Sequence, residues 1–257
     1  MTRVALVTGA ARGIGAATVR ALVTDGWSVV ALDRVSDDPR LPYALARPEQ
    51  LEALRGPQVV PVVADAADSA AVAAAVALAE DRFGGLDAAI AVAGVVAGGV
   101  PLWEQPAREV DAVLEVDLRA VIELARIAVP ALLRRPAPRQ GRFLAVASTA
   151  AGRGLPMLAA YCAAKAGVTG LVRALAVELG GTGITANAVS PGSTDTDILT
   201  ESARLYGLSG SQDFAQQQVL GRLIRPEEVA AALVWLAGPA GAAVTGAVLP
   251  VDGGLAL

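Results

Sequence analysis

The chain has 257 residues, of which 54% are hydrophobic and 18% are charged, so it can bury a sizeable core and is not mainly disordered. Its formal net charge of −4 argues against an electrostatic nucleic-acid binder. It has no histidine and one cysteine, which excludes histidine-based catalytic triads and zinc sites, intrachain disulfides and multi-cysteine metal sites.

Short apolar runs alternate with helical patterns along the whole chain. Most of these runs are nearly continuous, as expected for parallel strands that are covered on both faces. The predicted strands are 4–8, 28–33, 59–65, 86–94, 142–148, 184–191 and 247–251, and the predicted helices are 13–25, 69–83, 106–133, 155–179 and 226–237. No flexible or charged linker divides the chain. The sequence therefore predicts one domain, residues 1–257, with a doubly wound α/β Rossmann fold, a parallel sheet of about seven strands and helices on both faces.

One stretch is long enough to span a bilayer, because residues 229–251 carry no charge. Glycines and prolines interrupt it, so we interpret it as a buried helix (229–237), a turn and a final core strand. The apolar run at the N-terminus is too short for a signal peptide. We therefore expect a cytoplasmic protein with no membrane segment.

A glycine-rich turn follows the first predicted strand and opens the first helix. Residues 8–15 read TGAARGIG, and glycines at these positions allow a tight turn and close approach to a pyrophosphate. The helix N-terminus that follows offers unpaired N–H groups to the phosphates. The spacing differs from the general dinucleotide fingerprint. A purely structural turn is the alternative, but the strand–turn–helix context favours a nucleotide site.

Asp33 ends the second predicted strand, 18 residues after Gly15. An acid there accepts hydrogen bonds from the adenosine ribose and repels a 2′-phosphate, which favours NAD over NADP. Arg12 and Arg34 favour NADP, since either could pair with a 2′-phosphate. We give Asp33 more weight, because an unpaired carboxylate beside a phosphate is costly, and predict NAD as the cofactor.

Lys165 is the only lysine among 21 basic residues, and it lies four positions after Tyr161. Residues four apart share a face of a helix, so the ammonium and the phenol would point the same way. A nearby ammonium and an oxidised nicotinamide would lower the phenol pKa from about 10. Ser148 ends the fifth strand, at the sheet edge where α/β sites lie. The alternatives are a surface Tyr–Lys pair and a plain strand-ending serine.

With these motifs the chain resembles the short-chain dehydrogenase/reductase family. The resemblance spans nearly the whole chain, and it rests on TGAARGIG at 8–15, Asp33, Asp65, Ser148, YCAAK at 161–165 and NAVSPG at 187–192. It implies that Tyr161 is the acid/base. It also implies that Lys165 lowers the phenol pKa and holds the nicotinamide ribose, and that Ser148 binds the substrate carbonyl.

The resemblance also implies the cofactor contacts. Asp65 would meet the adenine, and Thr194 and Thr196 in the 191–196 turn would hold the nicotinamide carboxamide and phosphate. No metal is predicted. The predicted cofactor-binding residues are Gly9, Arg12, Gly13, Ile14, Gly15, Asp33, Arg34, Asp65, Ala93, Gly94, Tyr161, Lys165, Pro191, Gly192, Thr194 and Thr196.

The sequence departs from the family pattern in two places. The family's Asn-Asn-Ala-Gly after the fourth strand is replaced by 91–94, Ala-Val-Ala-Gly, so two asparagine side chains are lost. The asparagine of the fourth helix, which belongs to the family's proton relay, aligns with Asp117. A carboxylate there would favour the Lys165 ammonium and partly cancel its effect on Tyr161. Asp117 is therefore the fourth catalytic candidate.

Two further resemblances concern subgroups. The segment 191–197, PGSTDTD, is similar to dihydrodiol dehydrogenases that act on dihydroxybenzoate precursors. The insert at 35–57 resembles that of the mycofactocin-associated subgroup, whose members are thought to keep NAD bound and to pass electrons to a peptide-derived redox carrier. An ordinary loop insertion is the alternative.

The sequence thus predicts an oxidoreductase that transfers a hydride between NAD and a secondary alcohol or ketone. The alternatives are a dihydrodiol dehydrogenase, a 3-oxoacyl reductase and, more remotely, a non-catalytic nucleotide-binding protein. The predicted lid, 195–220, is rich in apolar side chains and suggests a small apolar substrate. The helices at 106–133 and 155–179 carry more apolar residues than one buried face needs, and with the family resemblance they predict a homotetramer.

Overall fold

The computed structural model describes residues 2–257 and shows a seven-stranded parallel sheet with strand order β3-β2-β1-β4-β5-β6-β7. The strand order reverses between β1 and β4. Because all the strands are parallel, their carboxyl ends lie at the same edge of the sheet. The predicted doubly wound fold is confirmed. The strands are β1 (Val4–Thr8), β2 (Ser28–Asp33), β3 (Val59–Val63), β4 (Ala88–Ala91), β5 (Arg142–Val146), β6 (Thr185–Pro191) and β7 (Val248–Val251).

Residues 2–257 form eight α-helices, six of which cover the two faces of the sheet. One buried cluster joins α3, α5 and α6 to one face, and a second joins α1, α2 and α8 to the other. Apart from Phe143 in the first and Trp27 in the second, both clusters consist of buried valine, leucine, isoleucine and alanine, which explains why the strands read as continuous apolar runs. The helices are α1 (Gly13–Thr24), α2 (Pro48–Glu52), α3 (Ser69–Phe83), α4 (Ala107–Leu114), α5 (Ala120–Arg134), α6 (Ala159–Glu178), α7 (Asp197–Leu205) and α8 (Pro226–Ala237).

The predicted helix at 106–133 is wrong in one respect, because it is not continuous. A π-helical segment, Glu115–Arg119, separates α4 from α5. A π-helical turn inserts a residue and changes the face on which the following side chains lie, and such turns are frequent at functional sites. Here the segment carries Asp117, which is buried.

Several predicted strands are longer than the observed ones. Residues 92–94 leave the sheet after β4, and residues 64–65 and 147–148 leave it after β3 and β5. These residues line the edge of the sheet instead, and most of them border a cleft. The predicted helix at 155–179 begins only at Ala159, because the preceding residues include Gly154 and Pro156.

The uncharged stretch at 229–251 contains most of α8, a turn and β7. Val229 and Leu233 of α8 have no exposed surface and belong to the core. Among residues 2–257, α6 is the one helix that is long and apolar enough by composition to cross a membrane. Its inward side packs against β5 and β6, and it also carries Tyr161 and Lys165.

Candidate active site

A cleft lies along the carboxyl ends of the strands, with about 1170 Å³ of unfilled space including its open mouth. This is the edge where α/β folds bind their ligands. Of the predicted site residues, all except Gly192 and Thr194 line it. The lining residues that the sequence did not single out are Leu32, Leu45, Ala46, Ala66, Val92, Val95, Val116, Val146, Ala147, Asp197 and Ile198.

The glycine-rich turn is packed too closely for side chains. A Cβ on Gly9, which has φ +65°, would lie 2.5 Å from the backbone of Ala93. A Cβ on Gly15 would lie 1.9 Å from the carbonyl oxygen of Gly9. Gly13 has φ +53°, and a Cβ there would point at Thr196 across the cleft. The turn therefore presents backbone, with the N-terminus of α1, to the cleft, which suits a pyrophosphate.

The loss of the family's two asparagines after β4 is accompanied by a different support for the turn. The Thr8 hydroxyl accepts hydrogen bonds from the backbone N–H groups of Val92 and Ala93, at 3.2 and 3.4 Å. Thr8 is buried at the end of β1, so its side chain lies directly beside the turn. The backbone of 92–94 consequently keeps its place as the floor of the cleft.

Asp33 lies beside the glycine-rich turn, and backbone N–H groups hold its carboxylate. Its carboxylate accepts hydrogen bonds from the N–H groups of Ala11, at 2.9 Å, and Val35, at 3.2 Å. Val35 adopts φ +45°, which is rare for a β-branched residue. The acid is thus fixed beside the glycine-rich turn, in the position predicted for contact with the adenosine ribose.

Both arginines that could favour a 2′-phosphate already have acidic partners. Arg12 pairs with Asp197 at 2.8 Å. Arg34 pairs with Asp38 at 3.0 Å and lies 3.6 Å from Asp65. Neither guanidinium is a free phosphate ligand, which strengthens the preference for NAD that Asp33 indicates.

Ser148, Tyr161 and Lys165 meet at the inner end of the cleft. Ser148 follows β5, and its hydroxyl also accepts a hydrogen bond from the N–H of Ala150 at 3.1 Å. Tyr161 and Lys165 lie one turn apart on α6, with the ammonium 5.6 Å from the phenol ring centre. The Ser148 hydroxyl lies near the Tyr161 phenol and lowers its pKa.

Asp117 joins this cluster through Lys165. Its carboxylate lies 2.9 Å from the Lys165 ammonium, and it accepts a hydrogen bond from the backbone N–H of Val95 at 3.2 Å. Neither partner of the pair is appreciably exposed. Lys165 also donates to the carbonyl of Val146 at 3.2 Å. The four predicted catalytic side chains therefore form one contiguous group, in which Asp117 and Lys165 are buried and Ser148 and Tyr161 are half-buried.

The charges and the burial of this group act on its proton equilibria in opposite directions. Burial raises the pKa of the Tyr161 phenol, and Asp117 raises it further, whereas Lys165 opposes both. Burial alone would lower the pKa of Lys165, but the adjacent carboxylate raises it above its ordinary value. The pKa of the phenol is thus raised in the protein alone, contrary to the lowering that Lys165 by itself would cause.

The insert at 35–57 folds across the cleft instead of projecting from it. Leu45 and Ala46 line the cavity, and the Tyr43 hydroxyl accepts a hydrogen bond from the N–H of Val96 at 2.9 Å. Arg40 forms ion pairs with Asp38 within the insert and with Glu115 on the π-helical segment. These contacts connect the segment after β2 with the opposite wall of the cleft.

The predicted lid contains α7 and a 3₁₀ helix, Ser211–Gln217. Ile198 of α7 lines the cleft, and Thr196 caps α7 by accepting from the N–H of Leu199. Gly192 and Thr194 lie behind the cleft wall. Gly192 packs against Gln218 and Asp252, and the Thr194 hydroxyl is turned back to the carbonyl of Gly192 at 3.1 Å.

A comparison with known protein families and structures agrees with this arrangement. A family model described as enoyl-(acyl carrier protein) reductase matches residues 9–256. The chain is 39% identical over 256 residues to cis-4-hydroxycyclohexanecarboxylate dehydrogenase of Sinomonas cyclohexanicum, covering 98% of this chain and 96% of that one.

Two solved structures share the fold over almost the whole chain. Carveol dehydrogenase from Mycobacterium avium, in complex with NAD, has a TM-score of 0.91 and 30% identity, covering 98% of this chain and 97% of that one. The 3-ketoacyl-(acyl-carrier-protein) reductase from Brucella melitensis, complexed with NADH, has a TM-score of 0.87 and 30% identity, covering 99% and 98%. With its fold, its glycine-rich turn and these relatives, the chain belongs to the short-chain dehydrogenase/reductase family of oxidoreductases.

Proposed function

We propose that the protein is an NAD-dependent oxidoreductase that interconverts a secondary alcohol and a ketone. The observation that carries the proposal is one continuous cleft with two chemically different ends. The glycine-rich turn and Asp33 lie at one end, and Ser148, Tyr161 and Lys165 lie at the other. A dinucleotide is long enough to need both ends, and its nicotinamide then belongs beside the phenol.

The cofactor fits the residues present. The glycine-rich turn presents backbone at the N-terminus of α1, which suits the phosphates, and Asp33 supplies a carboxylate for the ribose hydroxyls. Lys165 holds the second ribose, and Asp65, Pro191 and Thr196 line the walls. NAD, when bound, supplies the hydride acceptor or donor. Gly192 and Thr194 do not line the cleft but support its wall, so their predicted contact with the cofactor stays a prediction.

The protein's own part is to orient the substrate and to move one proton. Ser148 donates a hydrogen bond to the substrate oxygen and holds it beside the phenol. Tyr161 takes the hydroxyl proton during alcohol oxidation and returns it during ketone reduction, which is general acid–base catalysis. Lys165 stabilises the ionised phenol electrostatically. The apolar side chains Val95 and Ile198 exclude water from this end and suit a small apolar substrate.

Asp33 should make the enzyme prefer NAD. Asp33→Ser alone should raise the kcat/KM ratio for NADP over NAD only modestly, because Arg12 stays paired with Asp197. Adding Asp197→Asn should release Arg12 and raise the ratio further, since a free guanidinium binds phosphate well. Steady-state kinetics with both cofactors tests this. A wild type that prefers NADP would contradict the role of Asp33.

We further propose that the insert retains NAD, as the mycofactocin-associated resemblance implies. Leu45 and Ala46 close part of the cleft, and the Tyr43 hydrogen bond to Val96 holds them there. A closed segment slows release, and affinity differences lie mostly in the off-rate. The purified protein should then contain NAD, turn over poorly with added NAD and work better with an artificial electron acceptor that replaces a redox carrier.

Tyr43→Phe should accelerate NAD release by roughly two- to tenfold, since it removes a hydrogen bond of about 0.5–1.5 kcal/mol. Rapid-mixing fluorescence of bound NADH measures the rate. Tyr206→Phe is the matched control, because Tyr206 donates its hydrogen bond to Pro156 and does not tie the insert to Val96. Equal release rates in both variants, or protein that purifies without NAD, would mean that the insert is an ordinary loop.

We also propose a homotetramer. In the first of the two apolar helical stretches, 106–133, Val113, Val121 and Leu124 are core residues. In α6, however, only five of 20 residues are buried, and Val177 is 82% exposed. An apolar helix with so little cover is typical of an interface. We propose neither nucleic acid nor a membrane as a partner. We place the enzyme in the cytoplasm.

Light scattering at micromolar concentration should give the mass of four chains. Val177→Lys should weaken the assembly, because it places a charge on the uncovered face of α6. Val63→Lys is the matched control, since Val63 is 68% exposed but lies on the edge strand β3. A monomeric wild type would contradict the proposal.

A substrate panel separates the proposed reaction from its alternatives. Cyclic and acyclic secondary alcohols, a dihydrodiol and a 3-oxoacyl thioester should be assayed with NAD and with an artificial acceptor. Mass spectrometry of protein denatured directly after purification identifies any bound dinucleotide. Turnover of simple secondary alcohols supports the proposal, whereas preference for the diol or the thioester supports the corresponding alternative. A protein that binds NAD but turns over none of them is a nucleotide-binding protein.

A further inference from the structure

The group formed by Ser148, Tyr161, Lys165 and Asp117, called the acid/base cluster below, contains a buried ion pair. Asp117 and Lys165 are 0% and 4% exposed at their side chains, and their charges are 2.9 Å apart. The other ionisable groups near this pair are Tyr161 and Cys162 on α6 and Tyr43 on the insert, and Arg12 acts on Tyr43. The remaining acidic neighbour, Glu201 on α7, acts on Tyr43 and pairs with Arg204.

The carboxylate of Asp117 is held in place from three sides. The π-helical segment carries it inward, the Val95 N–H donates to it, and a Cβ on Gly94 would lie 2.8 Å from Oδ1. Both oxygens lie close to donors, the Lys165 ammonium and the Val95 N–H. Burial raises the pKa of Asp117, whereas both of these donors lower it. The geometry therefore suits the ionised form, paired with an ammonium.

We propose that Asp117 is a positioning residue that keeps Lys165 an ammonium while balancing its charge. The cluster of Tyr161, Lys165 and Asp117 is then neutral as a whole and retains its phenol proton until the positive charge of oxidised nicotinamide lies beside it. The inference rests on the proposed function for its role in turnover, but the charge balance is a property of the protein alone.

Removing the Asp117 carboxylate should lower the pH of the first deprotonation, whichever group of the cluster loses that proton. A cluster with a phenol, an ammonium and a carboxylate has no net charge, whereas a cluster with a neutral amide instead of the carboxylate has a charge of +1. Losing a proton from a buried positive cluster is easier than losing one from a neutral cluster. Removing the carboxylate should therefore move the deprotonation of the whole cluster to lower pH.

Asp117→Asn makes this change with almost the same shape. Its amide oxygen can still accept the Val95 hydrogen bond. Charges within about 4–6 Å shift a neighbouring pKa by about one to three units, so the first deprotonation should fall by at least about one pH unit. Asp111→Asn is the matched control, because Asp111 lies six residues earlier on α4 and is exposed. It removes the same charge without contact to the cluster.

The test is a pH titration of protein freed of nucleotide, with tyrosine labelled by ¹³C at Cζ and followed by NMR. The chain has only three tyrosines, and Tyr161→Phe assigns the signal. In the wild type, the Tyr161 signal should show no ionisation below about pH 10, the ordinary value. In Asp117→Asn it should respond at least about one unit lower, and in Asp111→Asn it should be unchanged.

Two results would overturn the proposal. One is ionisation of wild-type Tyr161 near neutral pH without cofactor, which needs no variant and remains decisive if Asp117→Asn does not fold. The other is a folded Asp117→Asn, verified by circular dichroism, that titrates like the wild type. The pH dependence of kcat/KM for alcohol oxidation should shift in the same direction. Failure to find any substrate would contradict the proposed function and leave the titration as an independent measure of the charge balance.

Discussion

Tyr161→Phe should reduce turnover by roughly 10²- to 10⁴-fold, the contribution typical of a positioned acid/base. The phenol is the ionisable group beside Ser148, and phenylalanine keeps the ring without the proton. The affinity for NAD should change little, because most predicted cofactor contacts lie along the turn and at Asp33. The loss should therefore appear in kcat and not in cofactor binding.

Single-turnover absorbance at the NADH band measures the chemical step, and calorimetry measures cofactor binding in the same variant. Thermal unfolding should be close to that of the wild type, since only one hydroxyl is lost. A variant that keeps more than about a tenth of the wild-type rate would contradict the assignment of Tyr161. Loss of NAD binding would show instead that the ring itself holds the dinucleotide.

The architecture was predictable because the strands are buried on both faces. A strand such as β5, in which every residue is buried, has an apolar pattern that differs clearly from that of the amphipathic helices. The ends were not predictable from the same pattern. Residues 92–94 continue the apolar run of β4 but leave the sheet to support the glycine-rich turn. The residues of the cleft wall and those of the strand are equally apolar, so the sequence pattern does not separate them.

The sequence also gives no indication of the π-helical segment that precedes α5. The residues Glu115–Arg119 contain neither glycine nor proline, and their apolar spacing is compatible with a regular helix. The π-helical turn follows from the tertiary contacts of this segment, above all the burial of Asp117 against Lys165. The sequence indicated that a carboxylate would lie near the ammonium, but not that both would be fully buried.

The site was predictable where its chemistry is local in the chain. Tyr161 and Lys165 are one helical turn apart, so their spacing alone brings them together. The ion pair between Arg12 and Asp197 joins residues 185 positions apart, and no short-range pattern indicates it. Leu45 was not singled out as a site residue, because an apolar side chain has the same appearance in a loop, a core and a cleft wall.

Lys165→Arg should also reduce kcat by at least roughly 10²-fold, although it keeps the positive charge. The ammonium lies in a closed space between Asp117, at 2.9 Å, and the carbonyl of Val146, at 3.2 Å. A guanidinium is larger and planar, so it must displace one of these partners or the phenol. Steady-state kinetics at saturating NAD measures the loss. Near-normal activity would mean that the single lysine has no special role.

A double variant separates the chemical role of the lysine from its structural one. Lys165→Met leaves the Asp117 carboxylate buried without a partner, which should cost about 3–5 kcal/mol of unfolding free energy. Adding Asp117→Asn removes that unpaired charge and should recover much of the stability, as chemical denaturation of both variants would show. The stable double variant should still be inactive. If it recovered activity with stability, Lys165 would serve only to neutralise Asp117 and not to assist Tyr161.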